Sequence, residues 1–220
     1  MKKPNEIYNF VDKSSTTTGR DDFQWSYLVD EEDKCVYIGF QGSRSPLDYL
    51  IDCLPFKVKL YKNQENNFRV HFGYKKVWKE NNDIVENNDI VENKALELMN
   101  HYSGYKLIFA GHSYGGCMAQ LACEDYHYRS GKKPTLVTFG APKMLANKKT
   151  RDYFRSCIEG DSVQYENIND PMPKLFLGFY HTLETTKVGV SNKKLLWIQM
   201  LINTVKYHCS YKDAATFIDL

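Results

Sequence analysis

The residues best placed to do chemistry sit in Gly111-His112-Ser113-Tyr114-Gly115. An apolar, β-type run (Leu107–Ala110) precedes them and a helix-like run (Tyr114–Tyr128) follows. A G-x-S-x-G pattern between strand and helix is the setting of a nucleophile elbow. Glycines two positions either side let the backbone close, because they carry no Cβ. The turn also puts Ser113 at a helix N-terminus, where backbone N–H groups favour developing negative charge. A hydroxyl is a poor nucleophile near neutral pH, so it needs a base, and the base needs an orienting carboxylate. Elbow enzymes order these as Ser, acid, His along the chain. Downstream of Ser113 the histidines are His127, His181 and His208. His127 lies on the elbow helix, roughly 20 Å away at 1.5 Å rise per residue, and is too far to serve. His181 and His208 both remain. Asp170 has the strongest acid context, at a strand end before a Pro-containing loop; Asp161, Glu184 and Asp213 are weaker. The oxyanion would be met by the Tyr114 amide and by a donor from an earlier strand end, where Gln41-Gly42-Ser43 stands. His112, next to the nucleophile, is expected to point away from the site and to be structural.

These residues need a sheet to hold them. Gln24–Val29, a DEEDK turn and Cys35–Phe40 predict an antiparallel hairpin. Phe68–Phe72, Leu107–Ala110, Thr135–Gly140 and Ser162–Ile168 read as further strands. Helices are expected over Lys75–Tyr102, Tyr114–Tyr128 (ended by Gly131), from about Asn147, over Lys193–Tyr207, and from Lys212 onward. Strands alternating with helices predict an α/β fold with a mainly parallel central sheet. Residues 1–22 read as polar and rich in Ser/Thr, and the copies of NNDIVE at 81–86 and 87–92 as a small duplication within a surface helix.

Ser45–Leu54 is a short amphipathic helix by pattern. Pro46 suits its first turn, Pro55 stops it, and Leu47, Leu50, Ile51 and Leu54 fall at i, i+3, i+4, i+7 on one face. Such a helix packs as core or serves as a mobile cover that meets lipid; periodicity alone favours core.

The 220 residues suit one domain, and a net charge of +2 gives no reason to expect a nucleic-acid partner. No apolar h-region follows the initial lysines, and no run approaches the ~18 apolar residues of a membrane span. The cysteines (35, 53, 117, 123, 157, 209) show no C-x-x-C spacing and no clustering with His, so neither a metal nor a redox centre is expected. Several sit in apolar runs, which predicts reduced, buried thiols, a reducing compartment and a cytoplasmic location, leaderless release aside.

Six stretches together resemble the class-3 lipases, the fungal-type triacylglycerol lipases of the α/β-hydrolase fold. They are VYIGFQGSRSPLDYLID, VHFGY, LIFAGHSYGGCMAQLA, TFGAPK, NINDPMP and HCSY, in family order from about Val36 to Tyr211. The resemblance implies an α/β-hydrolase domain with the hairpin at its N-terminal side. It implies Ser113 as nucleophile, Asp170 as acid, His208 rather than His181 as base, Ser43 and Tyr114 as oxyanion hole, and residues 45–54 as a lid. No cofactor is implied. The implied substrate is a lipid acyl ester, met through transient contact with a membrane or lipid surface. Phospholipase, lysophospholipase or short-chain esterase activity is the nearest alternative, and a catalytically silent lipid- or partner-binding module is the alternative of another class. Gln41 stands where the family usually has Arg, and Tyr49 where the lid often has Trp.

Overall fold

The computed structural model describes residues 1–13, 24–42, 56–60, 68–82, 91–174, 176–189, 204–213 and 217. The expected cover helix, Ser43, residues 83–90 of the NNDIVE duplication and most of the predicted 193–207 helix lie outside these residues.

Among the described residues six strands form one sheet. In chain order the first elements are α1 (Pro4–Asp12), β1 (Trp25–Asp30), β2 (Cys35–Phe40), β3 (Lys57–Lys59), β4 (Arg69–His71), α2 (Phe72–Asn82) and α3 (Val91–His101). Then come β5 (Lys106–His112), α4 (Tyr114–Ser130), β6 (Thr135–Phe139), α5 (Lys148–Ser156), β7 (Val163–Asn167), β8 (Thr185–Val188) and α6 (Thr204–His208). The sheet order is β1-β2-β5-β6-β7-β8, with β3 and β4 paired apart. β1 and β2 form the expected antiparallel hairpin, and every other pairing in the large sheet is parallel.

Period-2 alternation divides the core. Val36, Ile38, Phe40, Leu107 and Phe109 face one side, where helix α4 packs. Cys35, Tyr37, Ile108, Ala110, Val137 and Phe139 face the other, where Ile7, Tyr8 and Val11 of α1 cover them. Covering on both faces explains why β2, β5 and β6 are nearly continuous apolar runs.

The sequence reading did not expect α1. Pro4 opens the helix, and the Glu6 carboxylate accepts from the Lys3 N–H at 2.9 Å. Its stability comes from docking three apolar residues on the sheet, since nine residues are too few to hold a helix alone. The short edge strand β8 was also unexpected. The predicted strand at 68–72 is shorter, and α2 begins directly at Phe72. At the C-terminal side, the chain after His208 forms a 3-10 turn, Ser210–Lys212. Gly131 ends α4 as expected, in a left-handed conformation (φ 68°), with its N–H donating to the His127 carbonyl at 2.8 Å. No helix among the described residues is long and apolar enough to cross a membrane.

Candidate active site

The parallel strands deliver their carboxyl ends to one edge, the side on which open α/β sheets bind ligands. Ser113 follows β5 there with φ 54° and ψ −124°, a backbone conformation that L-residues rarely adopt. Its N–H donates to the Phe139 carbonyl at 2.9 Å and its own carbonyl accepts from Gly116 at 3.0 Å, which fixes the turn. The glycines are there because of contact. A Cβ on Gly111 would lie 2.1 Å from the Gly115 carbonyl oxygen, and one on Gly115 2.2 Å from the Phe40 carbonyl oxygen. Strand and helix approach more closely here than any side chain permits. Tyr114 opens α4 at the positive end of the helix dipole.

Asp170 follows β7. Its Oδ1 accepts from the Met172 N–H at 2.9 Å, and its Oδ2 accepts the Nδ1–H of His208 at 2.7 Å. The Tyr211 hydroxyl donates to the same Oδ2 at 3.3 Å while accepting from the Asn167 N–H at 2.7 Å. Asp170 and His208 are 0% and 1% exposed, and Ser113 is 2% exposed. With Nδ1 committed to Asp170, the second ring nitrogen of His208, Nε2, is the one left to accept a proton. It is buried and has no hydrogen-bond partner among the described residues. Gly140 (φ +58°), one residue past the carbonyl that holds Ser113, lies against this pair. A Cβ there would come within 3.0 Å of Asp170 Oδ2 and 3.1 Å of His208 Nδ1. The end of β6 thus holds the elbow on one side and borders the Asp170–His208 pair on the other.

Of the residues expected at the site, Ser113, Tyr114, Asp170 and His208 gather at this edge. Ser43 and the cover residues Leu47, Leu50, Ile51 and Leu54 lie outside the described residues. His181 is placed elsewhere: its Nδ1 accepts from the Gln164 side chain at 2.7 Å and its Nε2 faces Glu166 at 4.0 Å. The expectation that His112 points away from the site is corrected. Its ring lies 4.5 Å from that of His208, and its Nε2–H donates to the His208 carbonyl at 2.8 Å. His112 is therefore structural, as expected, but it supports the backbone of the candidate base. Burial, then the neighbouring His208, holds its pKa well below the ordinary histidine value.

Sequence reasoning gave no role to Asn167, Tyr211 or Gly140. Asn167 fastens the acid loop by two bonds. Its Nδ2 donates to Ser210 Oγ at 2.7 Å, and its Oδ1 accepts from the Asn169 N–H at 2.9 Å. The second is an Asx-type turn, and an Asn two residues before an Asn-Asp-Pro turn is the signal that points to it.

Two further histidines make stability depend on pH. Burial lowers the pKa of both His71 and His181 from 6.5 to about 4, against the pull of Glu166 in the second case. The unfolded chain therefore binds protons at these positions before the folded chain does. Their contribution is full above pH 6.5 and is lost as pH falls from there toward 4, by about 3 kcal/mol each. The urea midpoint is expected to drop steadily across that window; a midpoint that stays level from pH 8 to 4 contradicts this.

A strand–turn–helix elbow on a mostly parallel sheet, with a buried Asp–His pair at the same edge, is the architecture of the α/β-hydrolase fold. The chain matches the family described as Lipase (class 3) over residues 37–180 and belongs to that family. The match contains Ser113 and Asp170; His208 lies beyond it. The secreted mono- and diacylglycerol lipase A of Penicillium cyclopium is 26% identical over 179 residues, covering 79% of this chain and 53% of the relative. The chain thus spans about half the length of the curated relatives it matches. Among solved structures, the Rhizomucor miehei lipase–propeptide complex superposes with a TM-score of 0.66 at 26% identity, covering 79% of this chain and 55% of that one. A triacylglycerol lipase whose catalytic centre is described as a serine protease triad gives 0.64 at 26% identity, over 80% and 64%.

These relatives correct the expectation of a cytoplasmic location, because the Penicillium enzymes are named as secreted. The thiols that suggested it carry no such information. Cys35, Cys117, Cys123 and Cys157 are free and buried, and burial pushes the thiols of Cys123 and Cys157 above the ordinary range. A buried thiol of raised pKa is inert in either redox setting.

Proposed function

We propose that the chain is a serine carboxylic-ester hydrolase that cleaves lipid acyl esters through an acyl-enzyme. The observation that carries this reading is the buried Asp170–His208 hydrogen bond of 2.7 Å, which leaves Nε2 as the imidazole's proton acceptor at the edge occupied by the strained Ser113 turn. In this mechanism Ser113 Oγ attacks the ester carbonyl while His208 Nε2 takes its proton. Asp170 holds the imidazole in the Nδ1–H tautomer and stabilises the imidazolium. The tetrahedral oxyanion is met by the Tyr114 amide and by Ser43, each such donor being worth about 3 kcal/mol in the transition state. His208 then gives its proton to the departing alcohol. The same nitrogen next activates water, which attacks the acyl-enzyme, releases the fatty acid and restores Ser113. No metal or cofactor takes part in this sequence.

Lipid esters are preferred over soluble ones for two reasons. The family members named above are glyceride lipases. The i, i+3, i+4, i+7 spacing of Leu47, Leu50, Ile51 and Leu54 is, as a sequence pattern, that of an apolar helix face suited to an acyl chain or a lipid surface. A series of fluorogenic esters from short to long acyl chain, assayed with and without an emulsion, tests this. The rate is expected to rise with chain length and with interface. Activity confined to soluble short chains overturns the lipid assignment and leaves a short-chain esterase.

A further inference from the structure

Gln41 stands one residue past β2, at the strand end that leads to Ser43. Its backbone N–H donates to the Gln24 carbonyl at 3.0 Å. Its side-chain Nε2 donates to the Asp12 carbonyl, the last residue of α1, at 2.9 Å. The next residue is pressed against the elbow: a Cβ on Gly42 would lie 3.1 Å from His112 Nδ1 and 3.5 Å from Ser113 Cβ. A shift of Gln41 therefore moves backbone that borders the elbow at His112 and Ser113, with no room for a further side chain between them.

The same helix reaches the other half of the site. The Tyr8 ring meets His112 edge-on at 5.1 Å and lies 5.9 Å from the Tyr211 ring. His112 holds the His208 carbonyl, and Tyr211 donates to the Asp170 carboxylate. At its start the segment is anchored to the hairpin, with Lys2 Nζ 2.6 Å from Asp30 and the Lys2 N–H donating to the Tyr37 hydroxyl at 2.9 Å. So α1, which lies before the family-matched residues 37–180, bridges the oxyanion strand and the acid–base loops.

We propose that α1 is a clasp setting the spacing between oxyanion strand and base, and that Gln41 is the positioning residue that couples the strand to it. The proposal rests on the hydrolase reading above. Oxyanion donors act only when held where the charge develops, and a displacement of about 1 Å costs up to roughly a hundred-fold in rate. Gln41 does not touch the substrate in this account; it acts through the backbone that follows it.

The test compares Q41A, Q41E and Q41R in the full chain. It reads kcat and KM on an ester, the rate of covalent fluorophosphonate labelling, and Tm. Gln41 is half-buried, so these changes leave the core alone. Q41A loses the donor, and Q41E, its isostere, turns a carboxylate toward the Asp12 carbonyl. Both are expected to lower kcat and labelling about ten- to a hundred-fold, with KM and Tm little changed. Q41R, whose guanidinium reaches the same carbonyl, recovers most of the rate. The Q41A effect is expected to shrink when Tyr8→Leu has already loosened the helix, because both act through one element. Should the Tyr8→Leu chain fail to fold, the Gln41 variants decide alone. Unchanged kcat and labelling in Q41A and Q41E overturn the clasp, as does a Q41R as slow as Q41A. A wild-type chain that neither hydrolyses esters nor takes the label removes the hydrolase reading itself, a different result from an active wild type with indifferent variants.

Discussion

Ser113→Ala is expected to abolish ester hydrolysis and covalent fluorophosphonate labelling while leaving the fold intact. Loss of a nucleophile of this type lowers kcat by about 10⁴- to 10⁶-fold, down to what the oxyanion donors and binding supply. Ser113→Gly should be equally inactive and more stable. Serine at φ 54° and ψ −124° carries strain of about 1–3 kcal/mol, which glycine relieves. Against this stands a cost of about 0.5–1 kcal/mol for the freer unfolded chain. The balance is a gain of about 1 kcal/mol, or roughly 2–4 °C in Tm for a chain of this size. A Ser113→Ala protein that still turns over esters sinks the mechanism. One that loses turnover yet keeps its full biological effect moves the chain to the lipid- or partner-binding alternative.

Asp170→Asn should be the next most damaging change. The amide oxygen can still accept from the Met172 N–H, as Asp170 Oδ1 does at 2.9 Å, so the loop keeps its shape. The NH₂ group then takes the place of Oδ2, facing His208 Nδ1 and the Tyr211 hydroxyl. A donor there forces Nδ1 to become an acceptor and moves the proton to Nε2. An imidazole protonated at Nε2 cannot accept the proton of Ser113. The expected loss is about 10⁴-fold in kcat with a smaller change in KM. Steady-state kinetics on one ester decides it; a loss of less than ten-fold would falsify the assignment of Asp170.

The elbow was legible because three local signals agreed: an apolar strand, glycines at fixed offsets, and a helix pattern. The hairpin and the loop that carries Asp170 were legible for the same reason. Which histidine pairs with Asp170 was not. His181 and His208 have similar local surroundings, and the resemblance to the lipases favoured His208. Only tertiary packing brings His208 to Asp170 and sends His181 to Gln164 and Glu166. Helix α1 was hidden because its apolar residues Ile7, Tyr8 and Val11 sit among charged and polar neighbours. The helix exists by virtue of the sheet it covers, a partner distant in sequence. Strand β8 was hidden because four edge residues, TTKV, carry no clear alternation. The orientation of His112 failed for a related reason. Proximity to Ser113 suggested a side chain turned away, yet the ring meets the end of α6, 96 residues on.

The near-contact of strand and helix at Gly111, Gly115 and Gly116 has a consequence for reshaping the protein. A Cβ at any of these positions would fall 2.1 to 2.7 Å from another atom, backbone at Gly111 and Gly115 and the Ala141 Cβ at Gly116. No choice of rotamer relieves such an overlap, since Cβ itself does not rotate. The elbow is thus a fixed point that cannot be tuned side chain by side chain. A laboratory library that randomises its glycines would yield almost entirely inactive chains, whatever substrate it was screened on. Variation around Ser113 has to come from the surrounding loops, where a changed side chain leaves the elbow backbone where it is.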